Sequence, residues 1–174
     1  MCIRDRPHLN LIAMINVHMG AGIGVYTGIL LSTFYARPIW SSSILGFVFL
    51  MSGLSSAAAL VMLMAPRREK LMFSKMDMYF ISLEGFATTL FIIGGITGSE
   101  NIRDAMFYLI SGPYAPWFWV VFVLGGMIVP LLLETLEAIG RIRFTVLVPL
   151  LVLTGSLTLR FIIVYAGQAF PTFA

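Results

Sequence analysis

Long apolar runs alternate along the chain with short polar clusters. Each run is long enough to cross the hydrocarbon core of a bilayer, which requires about 20 apolar residues in a helix. The runs are apolar on all sides, whereas the strands of a membrane β-barrel alternate between apolar and polar positions. The sequence therefore predicts five transmembrane helices, at about residues 9–36, 41–66, 76–97, 117–138 and 144–168.

A shorter segment between the third and fourth runs has a different pattern. In "SENIRDAMFYLISGPYAPW" the apolar side chains recur at helical spacing, at positions 102, 105, 106, 109 and 110. Gly112 and Pro113 follow and end the helix. We expect a short amphipathic helix lying on the outer surface of the membrane.

Composition supports a membrane location. Hydrophobic residues make up 59 % and charged residues 11 % of the 174 residues, and the mean hydropathy is +0.96. An ordinary soluble domain is about a quarter charged. The predicted fold class is therefore all-α, an integral membrane helical bundle, and its small basic excess requires no nucleic-acid partner.

Lysine and arginine are distributed unevenly between the loops. Six lie after the second and fourth runs, and two lie in the loops of the other side; they are Arg67, Arg68, Lys70, Lys75, Arg141 and Arg143 against Arg37 and Arg103. Cytoplasmic loops carry the excess of positive charge in membrane proteins. The distribution predicts that the first helix begins in the cytoplasm and that the C-terminus lies outside.

The N-terminal "MCIRDRPH" is polar and lacks the hydrophobic region of a signal peptide. We interpret residues 1–8 as a non-native leader joined to the interior of a gene, and residues 9–170 as the helical bundle. Cys2 is the single cysteine, so the sequence predicts no iron–sulfur cluster or cysteine-based metal site in this protein. Outside the leader His18 is the only histidine, so a haem with two histidine ligands is not expected.

Four polar residues in the later runs are candidates for a proton path: Glu84, Glu134, Thr158 and Arg160. A charge at the centre of a membrane helix costs about 2.5–3.5 kcal/mol on insertion scales, so it must be protonated, paired or in contact with water. A proton relay is one interpretation. The other interpretation is structural. The carboxylates would then form an ion pair, or the Arg160 side chain would reach the outer interface.

The first two runs contain small residues at helical spacing, which indicate close packing of helices. They are Gly20, Gly24, Gly28 and Ser32 in the first run, and the cluster Ser52, Gly53, Ser55, Ser56 and Ala57 in the second. The first run also carries His18 and Tyr26, whose polar groups need a partner inside a membrane. That partner is either another helix or a bound ligand.

Six strings occur in a characteristic order: "GVYTGILLS", "RPIW", "FLMSGLSSAAAL", "SLEG", "FWVVFVLGGMIVPL" and "RFIIVYAGQ". Together they resemble the polysulfide reductase membrane subunit family, also called NrfD-like proteins, over residues 9–170. The resemblance implies an eight-helix fold, of which the five predicted helices resemble the last five.

The resemblance also implies a function. Family members are haem-free subunits of the bacterial or archaeal cytoplasmic membrane that bind menaquinone or ubiquinone. They exchange electrons with an extracytoplasmic, ferredoxin-like iron–sulfur subunit, which joins a molybdopterin or multihaem catalytic subunit, and they anchor this complex to the membrane. Tyr26, in the "YTG" string, corresponds to a quinone-pocket residue, and Arg160 matches an arginine of the last helix. The resemblance does not settle the role of His18, which stays a second candidate for quinone binding because of its polar ring in the first run.

Two other functions remain open at this point. A secondary transporter would have inverted repeats around a site at the midplane, and a purely structural anchor would have no redox role. A neighbouring gene for a ferredoxin-like protein would favour the quinone-linked subunit. We do not expect such a subunit to be active alone.

Overall fold

The computed structural model describes residues 7–33, 37–143 and 145–170, and every regular element in these ranges is a helix. The helices are α1 (Pro7–Ser32), α2 (Ile44–Met64), α3 (Arg67–Ile96), α4 (Glu100–Ile110), α5 (Trp117–Ala138) and α6 (Leu147–Ala169). All of them except α4 are long and apolar enough to cross a membrane. The predicted all-α membrane bundle with five spanning helices is thereby confirmed.

The N-terminal region agrees only partly with the predicted segments. Residues 1–6 of the predicted leader lie outside the described residues, and Pro7 and His8 are the first residues of α1.

The third helix begins at Arg67 rather than at the predicted residue 76. Arginine, glutamate and lysine are good helix formers, so the helix continues beyond its apolar part as far as Pro66. Loss of apolarity marks the edge of a membrane span, but it does not end a helix.

Helix α5 changes its winding along its length. Its first part, Trp117–Ile128, is a π-helix, and Val129–Ala138 is an α-helix. At the junction the Val129 N–H donates to the Leu124 carbonyl, five residues back. The change occurs beside Pro130, which has no N–H to continue the regular α-helical ladder.

Helix α2 packs against α1, α3 and α6, and α6 also packs against α5. Glycines permit the closest approaches. A Cβ atom added at Gly126 of α5 would lie 2.6 Å from the Cα atom of Gly155 in α6. A Cβ atom added at Gly28 of α1 would lie even closer to the Cα atom of Gly46 in α2, whereas a Cβ atom at Gly20 would meet nothing within 4 Å.

The predicted amphipathic helix is present as α4. Its apolar residues Ala105, Met106 and Leu109 are buried, and the helix contacts α3, α5 and α6. The apolar side of α4 is therefore covered by the bundle itself.

The bundle has two distinct ends. We call the end with Lys70, Lys75, Arg141 and Arg143 the basic end, and the other end, which includes α4, the opposite end. At the opposite end the Arg37 guanidinium donates hydrogen bonds to the carbonyls of Gly167, Gln168 and Phe170, at 3.0, 2.7 and 3.0 Å. Arg37 thus supplies donors for the carbonyls that the end of a helix leaves unpaired.

Candidate functional site

Nine polar or charged residues are buried in the described part of the chain: Ser52, Ser55, Ser74, Asp77, Glu84, Thr88, Glu134, Glu137 and Ser156. They belong to α2, α3, α5 and α6. In α3 they are three, four or seven positions apart, a spacing that places them on one side of a helix. Eight of them, all except Thr88, together with Arg160 form a line through the bundle that we call the polar track.

The middle of the polar track joins α2, α3 and α6. The Ser52 hydroxyl donates to Ser156 Oγ at 2.9 Å, and it also lies beside the Glu84 carboxyl. Because a serine hydroxyl has one proton to donate, Ser52 can serve only one of these acceptors at a time. The two serines therefore connect Glu84 with α6.

Arg160 lies at the end of the polar track that is nearer the opposite end. Its Nη1 donates to Ser156 Oγ at 3.3 Å, and a Cβ atom at Gly53 would lie 3.5 Å from its Nη2. Among the described residues Arg160 makes no ion pair with a carboxylate within 4.0 Å. Ser52 and Ser156 link it instead to Glu84, which lies close enough to feel its charge.

Toward the basic end the polar track consists mainly of carboxyl groups. Ser55 of α2 donates to Asp77 Oδ1 at 2.5 Å, and the Asp77 carboxyl lies within hydrogen-bonding reach of Glu134 in α5. Glu137 follows one turn later, and its Oε1 accepts a hydrogen bond from the Thr145 N–H at 2.9 Å. Lys70 lies near Glu137. The polar track thus reaches from Arg160 to the basic end.

Several buried oxygens of the polar track have no hydrogen-bond partner within the described protein. They are Ser74 Oγ, Asp77 Oδ2, Glu84 Oε1, Glu137 Oε2 and both carboxyl oxygens of Glu134. Buried polar atoms are almost always satisfied by protein or by ordered water. This part of the bundle therefore has free capacity for protons or water. No group of three or more histidine, cysteine or acidic residues within the described ranges is placed to hold a metal ion.

Three of the residues predicted for a proton path, Glu84, Glu134 and Arg160, lie in the polar track. The sequence patterns indicated a packing role for the serines of α2, and neither Asp77 nor Ser156 was assigned to the predicted proton path. The spacing of these two residues from Glu84 and Arg160 could have identified them. Asp77 lies seven residues before Glu84, and Ser156 lies four residues before Arg160, so each pair shares one side of its helix.

Thr158, the fourth residue predicted for a proton path, lies outside the polar track. It is two residues from Arg160 and so points to nearly the opposite side of α6. Its hydroxyl donates to the Thr154 carbonyl of the same helix at 2.7 Å. Thr158 lines a separate cleft of about 240 Å³ whose other walls are Tyr114, Trp117, Phe161, Ile162 and Tyr165.

His18 and Tyr26, the candidate quinone contacts, lie on exposed surfaces of α1, away from the polar track. The His18 Nδ1 donates to the Met14 carbonyl at 2.8 Å, which leaves Nε2 directed outward. Tyr26 is 61 % exposed. Among the described residues these two side chains are accessible from the surface and are not enclosed in a pocket.

Comparison with known proteins gives consistent matches over nearly the whole sequence. A family model described as "Polysulphide reductase, NrfD" matches residues 4–172. The C subunit of polysulfide reductase from Wolinella succinogenes is 31 % identical over 168 residues, which cover 87 % of this protein and 52 % of that subunit. Protein NrfD of Escherichia coli is 33 % identical over 156 residues, which cover 84 % and 49 %.

A third relative, the NrfD homolog of Haemophilus influenzae, is 30 % identical over 162 residues, which cover 86 % of this protein and 50 % of that homolog. No solved structure matches the sequence significantly. The sequence spans about half the length of the curated relatives that it matches.

Proposed function

Because this protein belongs to the NrfD family of polysulphide reductase membrane proteins, we propose that it acts in a haem-free membrane subunit that exchanges electrons with a quinone pool. Its family membership confirms the resemblance predicted from the six strings. One relative is named as the C subunit of polysulfide reductase, a name that implies further subunits. We therefore place this protein within a multisubunit respiratory oxidoreductase.

The redox partner in this proposal is a separate subunit. Iron–sulfur clusters are usually held by four cysteine thiolates, and this sequence has one cysteine. We propose that a ferredoxin-like iron–sulfur subunit receives or supplies the electrons, and that it joins a molybdopterin or multihaem catalytic subunit. This partner docks at the opposite end, where α4 lies, and the basic end faces the cytoplasm.

The quinone contacts in this proposal are Tyr26 and His18. A quinone has two carbonyl oxygens that accept hydrogen bonds, and a quinol has two hydroxyl groups that donate them. The exposed Tyr26 hydroxyl can donate to a quinone oxygen, and the outward Nε2 of His18 can accept from a quinol hydroxyl. Menaquinone and ubiquinone both satisfy this chemistry.

The polar track supplies the proton chemistry. Oxidation of a quinol releases two electrons and two protons, so a protein that handles quinol in a membrane needs groups that move protons. Carboxyl and hydroxyl groups from four helices form such a route between Glu137 and Ser156. Arg160 remains charged and orders the end of this route, because guanidinium does not release its proton in proteins. The buried polar track, in a member of this family, is the observation that carries the proposal.

A pair of substitutions in the assembled complex tests the proposed function. Glu84→Gln removes a proton carrier and keeps its size, and it should lower quinol-dependent turnover per complex by at least about tenfold. Thr89→Val is the matched control, because Thr89 is exposed on the same helix and bonds only to its own Gly85 carbonyl. Turnover is measured with a soluble quinol analogue and normalised to the amount of complex in the membrane.

Two outcomes contradict the proposal. If the unaltered complex fails to oxidise quinol or reduce quinone, the subunit is a structural anchor or a transporter. If Glu84→Gln retains full turnover, the polar track does not carry the protons of the reaction.

A further inference from the structure

Two carboxyl groups of the polar track meet from different helices. Asp77 of α3 and Glu134 of α5 are both 0 % exposed, and their carboxyls lie within hydrogen-bonding reach of each other. One oxygen of this pair, Asp77 Oδ1, receives a hydrogen bond, from Ser55. The other three oxygens have no donor in the described protein.

This geometry is unfavourable without an added proton. Ionised carboxylates only accept hydrogen bonds, so two of them side by side cannot bond to each other. Their charges also repel strongly where the surroundings have a low dielectric constant. A single proton between them removes one charge and provides the missing donor, so it relieves both problems.

The charged neighbours do not provide another solution. Lys70 lies near Glu137, one turn beyond the pair, and Arg160 acts on Glu84 in the middle of the bundle. The nearest further titratable side chains on either side of the pair, Glu137 and Glu84, are also carboxyls and supply no positive charge. From α2 the contact is Ser55, a neutral hydroxyl. Among the described residues no salt bridge within 4.0 Å involves Asp77 or Glu134.

We propose that Asp77 and Glu134 form a carboxyl pair that binds and holds one proton between Glu137 and Glu84. This inference rests on the proposed function and adds to it a specific proton-binding site, in which Asp77 is a residue outside the predicted proton path. Helix rise separates Asp77 from Glu84 by about 10 Å, so water must connect the pair to the middle of the polar track. The free oxygens of Glu134 and Glu84 are acceptors for that water.

Amide substitutions imitate the proton-bound pair. In Asp77→Asn the amide oxygen still accepts the Ser55 hydroxyl, and the amide N–H donates to Glu134 in place of the shared proton. Glu134→Gln does the same from the other side. Both variants should therefore fold and assemble, yet neither can bind and release the proton.

Infrared spectroscopy of the purified complex tests the pair directly. The unaltered complex should show a carbonyl band of a protonated, buried carboxylic acid that shifts in heavy water. The band should disappear in Asp77→Asn and also in Glu134→Gln, because either substitution removes the shared proton. Glu69→Gln is the control, since Glu69 is exposed on α3 at the basic end, away from α4 and from the polar track, and it should leave the band in place. Quinol turnover should fall at least about tenfold in the first two variants and stay unchanged in the control.

The outcomes separate this proposal from the proposed function. A band that survives both amide substitutions, or that is lost only with Glu84→Gln, overturns the pair, as does the absence of any such band in the unaltered complex. Because the band is measured without quinol, it can respond as expected in a complex that does not turn over quinol. In that case the carboxyl pair stands and the proposed function fails.

Discussion

Arg160 points toward the middle of the bundle. Its guanidinium bonds to Ser156, one turn earlier in α6, and α6 runs from the basic end to the opposite end. A side chain that reached the nearer interface would extend the other way along the helix. The contact with α2 at Gly53 places the charge between two helices. Arg160 therefore belongs to the polar interior, where it can order water beside the carboxyls of the polar track.

Replacing Arg160 should separate its roles in assembly and turnover. Arg160→Leu removes a charge from the membrane and should leave insertion intact, but it should lower quinol turnover per complex by about tenfold or more. Arg160→Lys should restore only part of the activity, because lysine lacks the planar fork that can contact Ser156 and water together. Turnover is normalised to the complex present in membranes. Full turnover in Arg160→Leu would show that the arginine has only a structural role.

Tyr26 allows a matched test of the quinone contact. Tyr26→Phe removes one hydroxyl and should weaken quinol use by the worth of a hydrogen bond, about 0.5–1.5 kcal/mol or about 2- to 13-fold in kcat/KM. Tyr79→Phe is the control, because Tyr79 is similarly exposed, at 64 % against 61 %, but lies on α3 toward the basic end. Steady-state kinetics over a range of quinol concentrations measure both variants. Equal kinetics in the two would mean that Tyr26 contacts only lipid or protein.

At the scale of helices, the crossing of α5 and α6 depends on glycine. The backbones of Gly126 and Gly155 touch, and this close approach brings Glu134 and Ser156 to the same polar interior. The π-helical winding of Trp117–Ile128 precedes the α-helical segment that carries Glu134. The position of Glu134 relative to α3 therefore depends on packing and winding earlier in its own helix.

Gly126→Ala should destabilise the bundle. The new Cβ atom would lie 2.6 Å from the Gly155 backbone, so the two helices must separate, and overpacking of this kind costs about 1–3 kcal/mol. Gly94→Ala is the control, because a Cβ atom there meets nothing within 4 Å. Both variants replace a helical glycine with alanine, so their difference reports chiefly the contact. Thermal unfolding of the detergent-solubilised protein should show a lower Tm for Gly126→Ala, and equal Tm values would contradict the crossing.

At the scale of the whole molecule, the two ends differ in charge. We expect the basic end to face the cytoplasm because positively charged loops are retained there. In a Cys2→Ser background, Arg141→Cys and Arg103→Cys place single thiols at the two ends. A membrane-impermeant thiol reagent should label Arg103→Cys in right-side-out vesicles and Arg141→Cys only in inverted vesicles. The reverse pattern would invert the proposed topology and move the redox partner to the basic end.

Helix number and type were predictable from the sequence because a membrane imposes a simple rule. Every backbone polar group must be satisfied within the segment that crosses lipid, so a long apolar run is a helix. That rule does not say where a helix ends outside lipid, which is why α3 begins at Arg67 rather than near residue 76. The rule also says nothing about π-helical winding, which occurs in the part of α5 that packs against α6 and ends just before Pro130.

The sequence by itself determined which groups are costly in a membrane: Glu84, Glu134 and Arg160 were identified because a buried charge has a large free-energy cost wherever it lies. Only the tertiary structure decided their partners. Hydrogen bonds act over about 3 Å, and the distances between side chains on different helices depend on how those helices cross. Ser55 with Asp77, Asp77 with Glu134, and Ser52 with Ser156 are contacts between helices, so no periodicity within one helix could predict them.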